Sequence, residues 1–287
     1  REHGGDWSEM RVFAFDHRLQ LEEMAGATQE RIGAFKRLCL EAALQVQGGR
    51  PGYGILCDNR LGREALHAAS GSGLWIGRPC EAPGSRPLAL EPELGSDCGQ
   101  LSEWARENVV KVLCFCHPDD DAATRAAQEA TVKRLWQASR RNRLEFLLEI
   151  IPSKVAPVDD ATSAKLIAQF YAAGVFPDWW KLEPMTSGVA WANAIAAIEA
   201  HDPHTRGIVV LGLDAPEADL AASFRVAAGF PLVKGFAVGR TIFAEVARDW
   251  LANGLSDAEA VAEMARRYAR LCRVWDEARE SARAVAA

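Results

Sequence analysis

"DWWKLEPM", residues 178–185, reads as a buried strand that carries a lysine and a glutamate. Residues two apart in a strand point the same way, so Trp179, Lys181 and Glu183 share one face and Trp180 takes the other. A run that is apolar on both faces belongs to a parallel sheet covered on both sides. Seven more runs of this kind flank it: "RVFAFDHR" (11–18), "YGILCDNR" (53–60), "GLWIGRP" (73–79), "VVKVLCFCHPDD" (109–120), "EFLLEIIP" (145–152), "GIVVLGLDAP" (207–216) and "VKGFAVGR" (233–240). Between most of them lie helical segments rich in Ala, Leu and Glu. The clearest cover 19–47, 119–141, 160–173, 188–200, 216–228 and 240–252, with a helical tail over 256–283. Residues 81–99 read as a long loop ahead of a helix at "QLSEWAREN".

Eight strand–helix units in about 250 residues is the arithmetic of a (β/α)8 TIM barrel. The expectation is one α/β barrel over residues 1–287 with an extra C-terminal helix. A doubly wound open sheet would show a glycine-rich turn after its first strand, and "FAFDHRLQ" has none.

Composition narrows the function classes. Thirty-three basic against 39 acidic side chains give −6, and no basic tract is interleaved with aromatics, which argues against nucleic acid. No apolar run approaches the roughly 18–20 residues of a membrane helix. The seven scattered cysteines form no CxxC pair, so free thiols in a reducing cytoplasm are expected. Of the six histidines only His201 and His204 are close, in an "HDPH" turn before strand seven, so no metal-ligand set and no cofactor are expected.

A barrel places its chemistry at the C-terminal ends of its strands, and charges at strand starts are nearly absent here. Asp16 and Arg18 end strand one, Asp58 and Arg60 end strand two and Arg78 ends strand three. Lys111 lies in strand four with His117 at its exit, Glu149 in strand five, and Lys181 and Glu183 in strand six. An isolated buried ammonium is too costly, so these lysines are paired or titrate low. A neutral amine in a dry pocket is the nucleophile of Schiff-base chemistry, and Glu149, on the strand between the two lysines, is placed to move protons. The opposing reading is a structural ion network across the barrel. Gly212, Gly239 and Arg240, after strands seven and eight, sit where barrels commonly bind phosphate.

Together "RVFAFDHR", "VVKVLCFCHPDD", "FLLEIIP", "DWWKLEPM" and "GFAVGRTIF" resemble the aldolase-type domain fused behind a sugar kinase in bacterial myo-inositol catabolism. More distantly the chain is similar to class I tagatose-bisphosphate aldolases. That resemblance implies Lys181 as the Schiff-base lysine, with Glu149, Lys111 and Asp16 as its catalytic companions. It implies cleavage of 2-deoxy-5-keto-gluconate 6-phosphate to dihydroxyacetone phosphate and malonate semialdehyde. A kinase half ahead of this chain would accompany it, as a fused or associated partner, and a homo-oligomer is open. Arg240, Gly239 and Gly212 would hold the phosphate, Arg60 or Arg78 the carboxylate, and Glu183, Arg18 and His117 complete the candidate substrate contacts. Two alternatives stand beside the aldolase. One is a phosphosugar isomerase or epimerase using Glu149 and Glu183; the other is a non-catalytic sugar-phosphate-binding domain regulating a fused kinase.

Overall fold

A computed structural model describes residues 7–286. Eight parallel strands close into a barrel in sequence order: β1 (Met10–Ala14), β2 (Tyr53–Leu56), β3 (Trp75–Pro79), β4 (Asn108–Cys114), β5 (Glu145–Ile150), β6 (Trp179–Leu182), β7 (Gly207–Leu211) and β8 (Val233–Val238). Each lies inside one of the eight apolar runs or within a residue of it. The helices are α1 (Leu19–Glu22), α2 (Gln29–Gln47), α3 (Asn59–Ala69), α4 (Ala122–Arg141), α5 (Thr162–Ala172), α6 (Gly188–His201), α7 (Glu217–Ala227), α8 (Arg240–Leu251) and α9 (Asp257–Ala286). No described helix is long and apolar enough to cross a membrane.

Three local readings change. The expected helix over 19–47 is two helices, because Gly26 adopts a left-handed φ of 78° and Thr28 then caps α2 by accepting from Arg31 N–H. A side chain at position 26 would also press its Cβ to 2.8 Å from the Leu251 carbonyl oxygen. The helix expected at "QLSEWAREN" shrinks to one 3-10 turn, Gly99–Glu103, since Trp104 turns extended and its ring covers the Arg78 guanidinium. The third change is α3, a helix not singled out from the sequence and capped by Asp58 accepting from Leu61 N–H.

Strand alternation divides the core in two. Trp180 and Phe146 pack outward under the helices. Val12, Ala14, Leu147, Trp179 and Val209 point inward and fill the barrel. Trp179 meets Trp75 edge to face at 6.0 Å between ring centres, which plugs the barrel below Lys181. The register then sets the next layer: Leu113 pairs with Glu149, and Glu149 pairs with Lys181. Because Trp179 and Leu147 face inward, Lys181 and Glu149, two residues on, face inward above them. α9 closes the outside by packing on α2, α7 and α8.

Candidate active site

A cavity of about 590 Å³ opens at the C-terminal mouth of the barrel. Asp16, Arg18, Lys111, Glu149, Lys181, Gly212, Gly239 and Arg240 all line it, so eight of the twelve candidate residues come together. The structure adds Glu81, which the sequence reading missed. It lies two residues past the end of β3, and the period-two phase Trp75, Gly77, Pro79, Glu81 carries its side chain to the inward face.

The centre is an ion cluster around Lys111. Its Nζ lies 3.1 Å from Asp16 Oδ2, 3.0 Å from Glu81 Oε1 and 3.0 Å from Glu149 Oε2. An ammonium has three N–H donors, and here three carboxylates surround it. Burial works against the Lys111 charge, but Asp16, Glu149 and Glu81 outweigh it and raise its pKa well above the ordinary lysine value. The carboxylates respond in kind. Burial favours a neutral Asp16, yet Lys111 and Lys181 hold its carboxyl far below the usual range, and the same two lysines hold Glu149 low against burial.

Lys181 stands apart from this knot. Its Nζ is 2.8 Å from Glu149 Oε1, the other oxygen of the carboxylate that meets Lys111. Glu149 therefore bridges two amines, one enclosed by three carboxylates and one that faces the cavity with a single ion pair among the described residues. Arg18 fixes the far side by donating from Nη2 to Glu81 Oε1 and from Nη1 to the Glu81 carbonyl and Glu91 Oε1, each at 2.8 Å.

At the β7–β8 rim Arg240 opens α8 and pairs with Asp214 at 3.1 Å. Leu213 and Asp214 both take left-handed φ, 50° and 62°. Gly239, just before α8, permits close packing, since a Cβ there would fall 2.0 Å from the Ala14 carbonyl oxygen and 2.7 Å from His17 Cε1. His17 also lines the cavity, edge-on to Phe243. Burial pushes its pKa down to about 3, with Asp16 opposing and Arg240 and Lys181 assisting, so the ring is neutral near pH 7.

Four candidates lie elsewhere. Arg78 is one residue out of phase with the inward Gly77, so it points outward, stacks on Trp104 and donates to Asn108. Arg60 sits in α3 and pairs with Glu22 on the outer surface. Glu183 has the inward phase, but β6 ends at Leu182 and the carboxylate turns to the Ser153 hydroxyl and N–H. Its pKa is raised by burial, with the Ser153 bonds opposing. His117 is buried in the β4–α4 connection, where Nδ1 accepts from Asp119 N–H and Nε2 meets the Pro157 carbonyl at 3.0 Å.

Comparison with known proteins places the fold. One similar solved structure is a fructose-bisphosphate aldolase from Plasmodium falciparum, in complex with TRAP and a small-molecule inhibitor. It is 12% identical, with a TM-score of 0.66 over 94% of this chain and 91% of that one. No curated protein matches the sequence. Residues 2–279 match the model of a family described as "Uncharacterized protein conserved in bacteria (DUF2090)", and the chain belongs to that family.

Proposed function

We propose that this barrel is a Schiff-base aldolase that cleaves a phosphorylated keto sugar acid, with Lys181 as the amine. One observation carries the reading: Glu149 joins two lysines, but of the two only Lys111 is enclosed by three carboxylates. Lys181 has a proton acceptor at 2.8 Å and an open cavity above it. Lys111 and Lys181 hold Glu149 ionised, the form in which a carboxylate can accept a proton.

For 2-deoxy-5-keto-gluconate 6-phosphate the steps balance as follows. Lys181 Nζ gives a proton to Glu149 and attacks the C5 ketone. A second N–H proton passes from the attached nitrogen to the former carbonyl oxygen to give the neutral carbinolamine, and Glu149 then returns its own proton to that hydroxyl, which leaves as water and gives the iminium. A carboxylate, Glu149 or Asp16, takes the proton from the C3 hydroxyl. The C3–C4 bond then breaks, its electron pair passing toward the iminium, so that C3 becomes the aldehyde of malonate semialdehyde. The enamine takes a proton at C4, and hydrolysis releases dihydroxyacetone phosphate. Lys111, fixed as a cation, offers positive charge to the oxygens of the reacting carbons. The N-terminus of α8 and Arg240 would receive the phosphate. The inositol-catabolic substrate and a fused or associated kinase rest on the sequence resemblance and belong to this proposal. The acid–base pair of the isomerase reading loses support, because Glu183 is bound to Ser153 and does not line the cavity.

Borohydride reduction with dihydroxyacetone phosphate, followed by peptide mass spectrometry, tests the reading. An adduct on Lys181 is expected. An adduct on Lys111 keeps the reaction class and exchanges the lysines. Ligand binding by calorimetry with no adduct sinks the Schiff base.

A further inference from the structure

Residues 81–91 form a hairpin whose root is part of the ion cluster. An antiparallel bridge joins Glu81 to Leu90, and the Ala82 and Glu91 amides donate across it to Ala89 and Cys80, each at 2.8 Å. Arg18 clamps both sides of that root, since it holds Glu81 and Glu91 together. The tip reaches back over the cavity, where Pro83, Gly84 and Arg86 line it. Arg86 is fixed in place: Nε donates to the Phe115 carbonyl at 3.2 Å and Nη2 donates to Asp120. Asp120 is buried and accepts in turn from His117 N–H and the Gln128 amide. The remaining nitrogen, Nη1, has no protein partner among the described residues, and the side chain is 38% exposed at the cavity. Lys154, after β5, lines the same rim and makes no ion pair among the described residues.

In a closed eight-stranded barrel β3 and β4 stand four strands from β7 and β8, so the Arg86 rim faces the Arg240 rim with Lys111 and Lys181 between. Both rim arginines are held by an aspartate, Asp120 and Asp214, which lowers the entropy lost when they meet a ligand. Six cationic side chains line the cavity against four anionic ones, in a chain whose net charge is −6. A ligand anionic at one end would leave the Arg86 rim unused.

We propose that this hairpin is the specificity element of the site, with Arg86 and Lys154 receiving a second oxyanion at the substrate end opposite Arg240. The substrate class is then an open-chain sugar derivative carrying an anionic group at each end, carboxylate or phosphate. The assignment rests on the aldolase reading for what happens between those ends, but not for binding itself.

Calorimetry on the full chain with three probes tests it. Dihydroxyacetone phosphate has one anionic end, 6-phosphogluconate has a phosphate and a carboxylate, and fructose 1,6-bisphosphate has two phosphates. Arg86→Gln is expected to weaken the two-ended probes by about 10- to 100-fold, the size of a hydrogen bond to a charged group, and to leave dihydroxyacetone phosphate within about twofold. The two-ended probe with the greater loss identifies the second group. Equal weakening of all three probes, or of none, overturns the proposal. Lys154→Gln guards against a folding effect in Arg86→Gln, because Lys154 is exposed and makes no ion pair among the described residues; undiminished two-ended binding in both variants also overturns it. Selective loss in Arg86→Gln while wild type forms no borohydride adduct would sink the aldolase reading and leave this one standing.

Discussion

Glu145 and Glu149 lie on the same strand, four residues apart, both facing into the barrel and both buried, at 8% and 4% exposure. Their titration goes in opposite directions. At the N-terminal mouth burial pushes Glu145 up to about 7, and a hydrogen bond from Trp179 Nε1 at 2.8 Å and Arg206 at 2.9 Å only partly oppose it. At the C-terminal mouth burial pushes Glu149 the same way, but Lys111 and Lys181 reverse it. Burial therefore does not decide ionisation; the number of cations within ion-pair distance does. One mouth holds a weak acid against an indole, and the other holds an ionised carboxylate against two amines.

The largest break in this contrast is Glu149→Gln. It makes position 149 neutral, as Glu145 is below pH 7, and removes the proton acceptor beside Lys181. Turnover in an aldol-cleavage assay should fall by about 10²- to 10⁴-fold, the range for losing a general acid–base group. Adduct formation in the trapping experiment should slow as well, since Lys181 then has no carboxylate to take its proton. A loss below about threefold would show that the ion cluster is structural.

Lys111→Met breaks the contrast from the cation side. It leaves Asp16, Glu81 and Glu149 around an apolar side chain, and stripping one partner from a buried ion cluster costs about 3–5 kcal/mol. The pH dependence should change sign. In wild type Asp16 and Glu149 titrate below their unfolded values, so their stabilisation is present above about pH 4 and is lost as pH falls. Without Lys111 burial dominates, their folded values rise, and the cluster becomes more favourable as pH falls. Melting temperatures between about pH 2 and 8 separate the two: wild type falls below about pH 4, whereas the variant gains as pH drops from 8. Parallel slopes would mean that Lys181 alone keeps the carboxylates ionised.

The residues of this contrast differ in how far the sequence reveals them. Lys111, Glu149 and Lys181 lie inside strands, where period two ties each direction to an apolar neighbour such as Trp179. Asp16 continues the phase of Val12 and Ala14. Arg78 was legible by the same rule and points away because it is out of phase with Gly77. Nearness to a strand end is a weaker guide than phase. Glu183 and Arg60 lie past the last paired residue of their strands, where phase stops governing direction and local partners, Ser153 and Glu22, take over. Glu81 had a readable phase, but it sits at the mouth of a long loop. The hairpin that fixes it depends on Arg18, distant in sequence, and no local pattern encodes that clamp. Glu145 also corrects the expectation that strand starts carry almost no charge: a buried carboxylate sits there, bound to an indole from the next strand.

Glu145→Gln gives the smallest effect and the sharpest test of the comparison. With a folded value of about 7 against an ordinary 4.5, native Glu145 keeps its proton while the unfolded chain has released it. The native state then binds more protons than the unfolded state between these values, so stability falls as pH rises from about 4.5 to 7 and stays lower beyond. Glutamine keeps an oxygen for the Trp179 N–H and cannot ionise, which removes the penalty. The variant should match wild type near pH 4 and be more stable near pH 8 by about 1–3 kcal/mol, read from denaturant midpoints at each pH. If the variant is instead less stable near pH 8, the pair with Arg206 outweighs burial. Position 145 would then work as position 149 does, with one cation sufficient to hold a buried carboxylate in this barrel ionised.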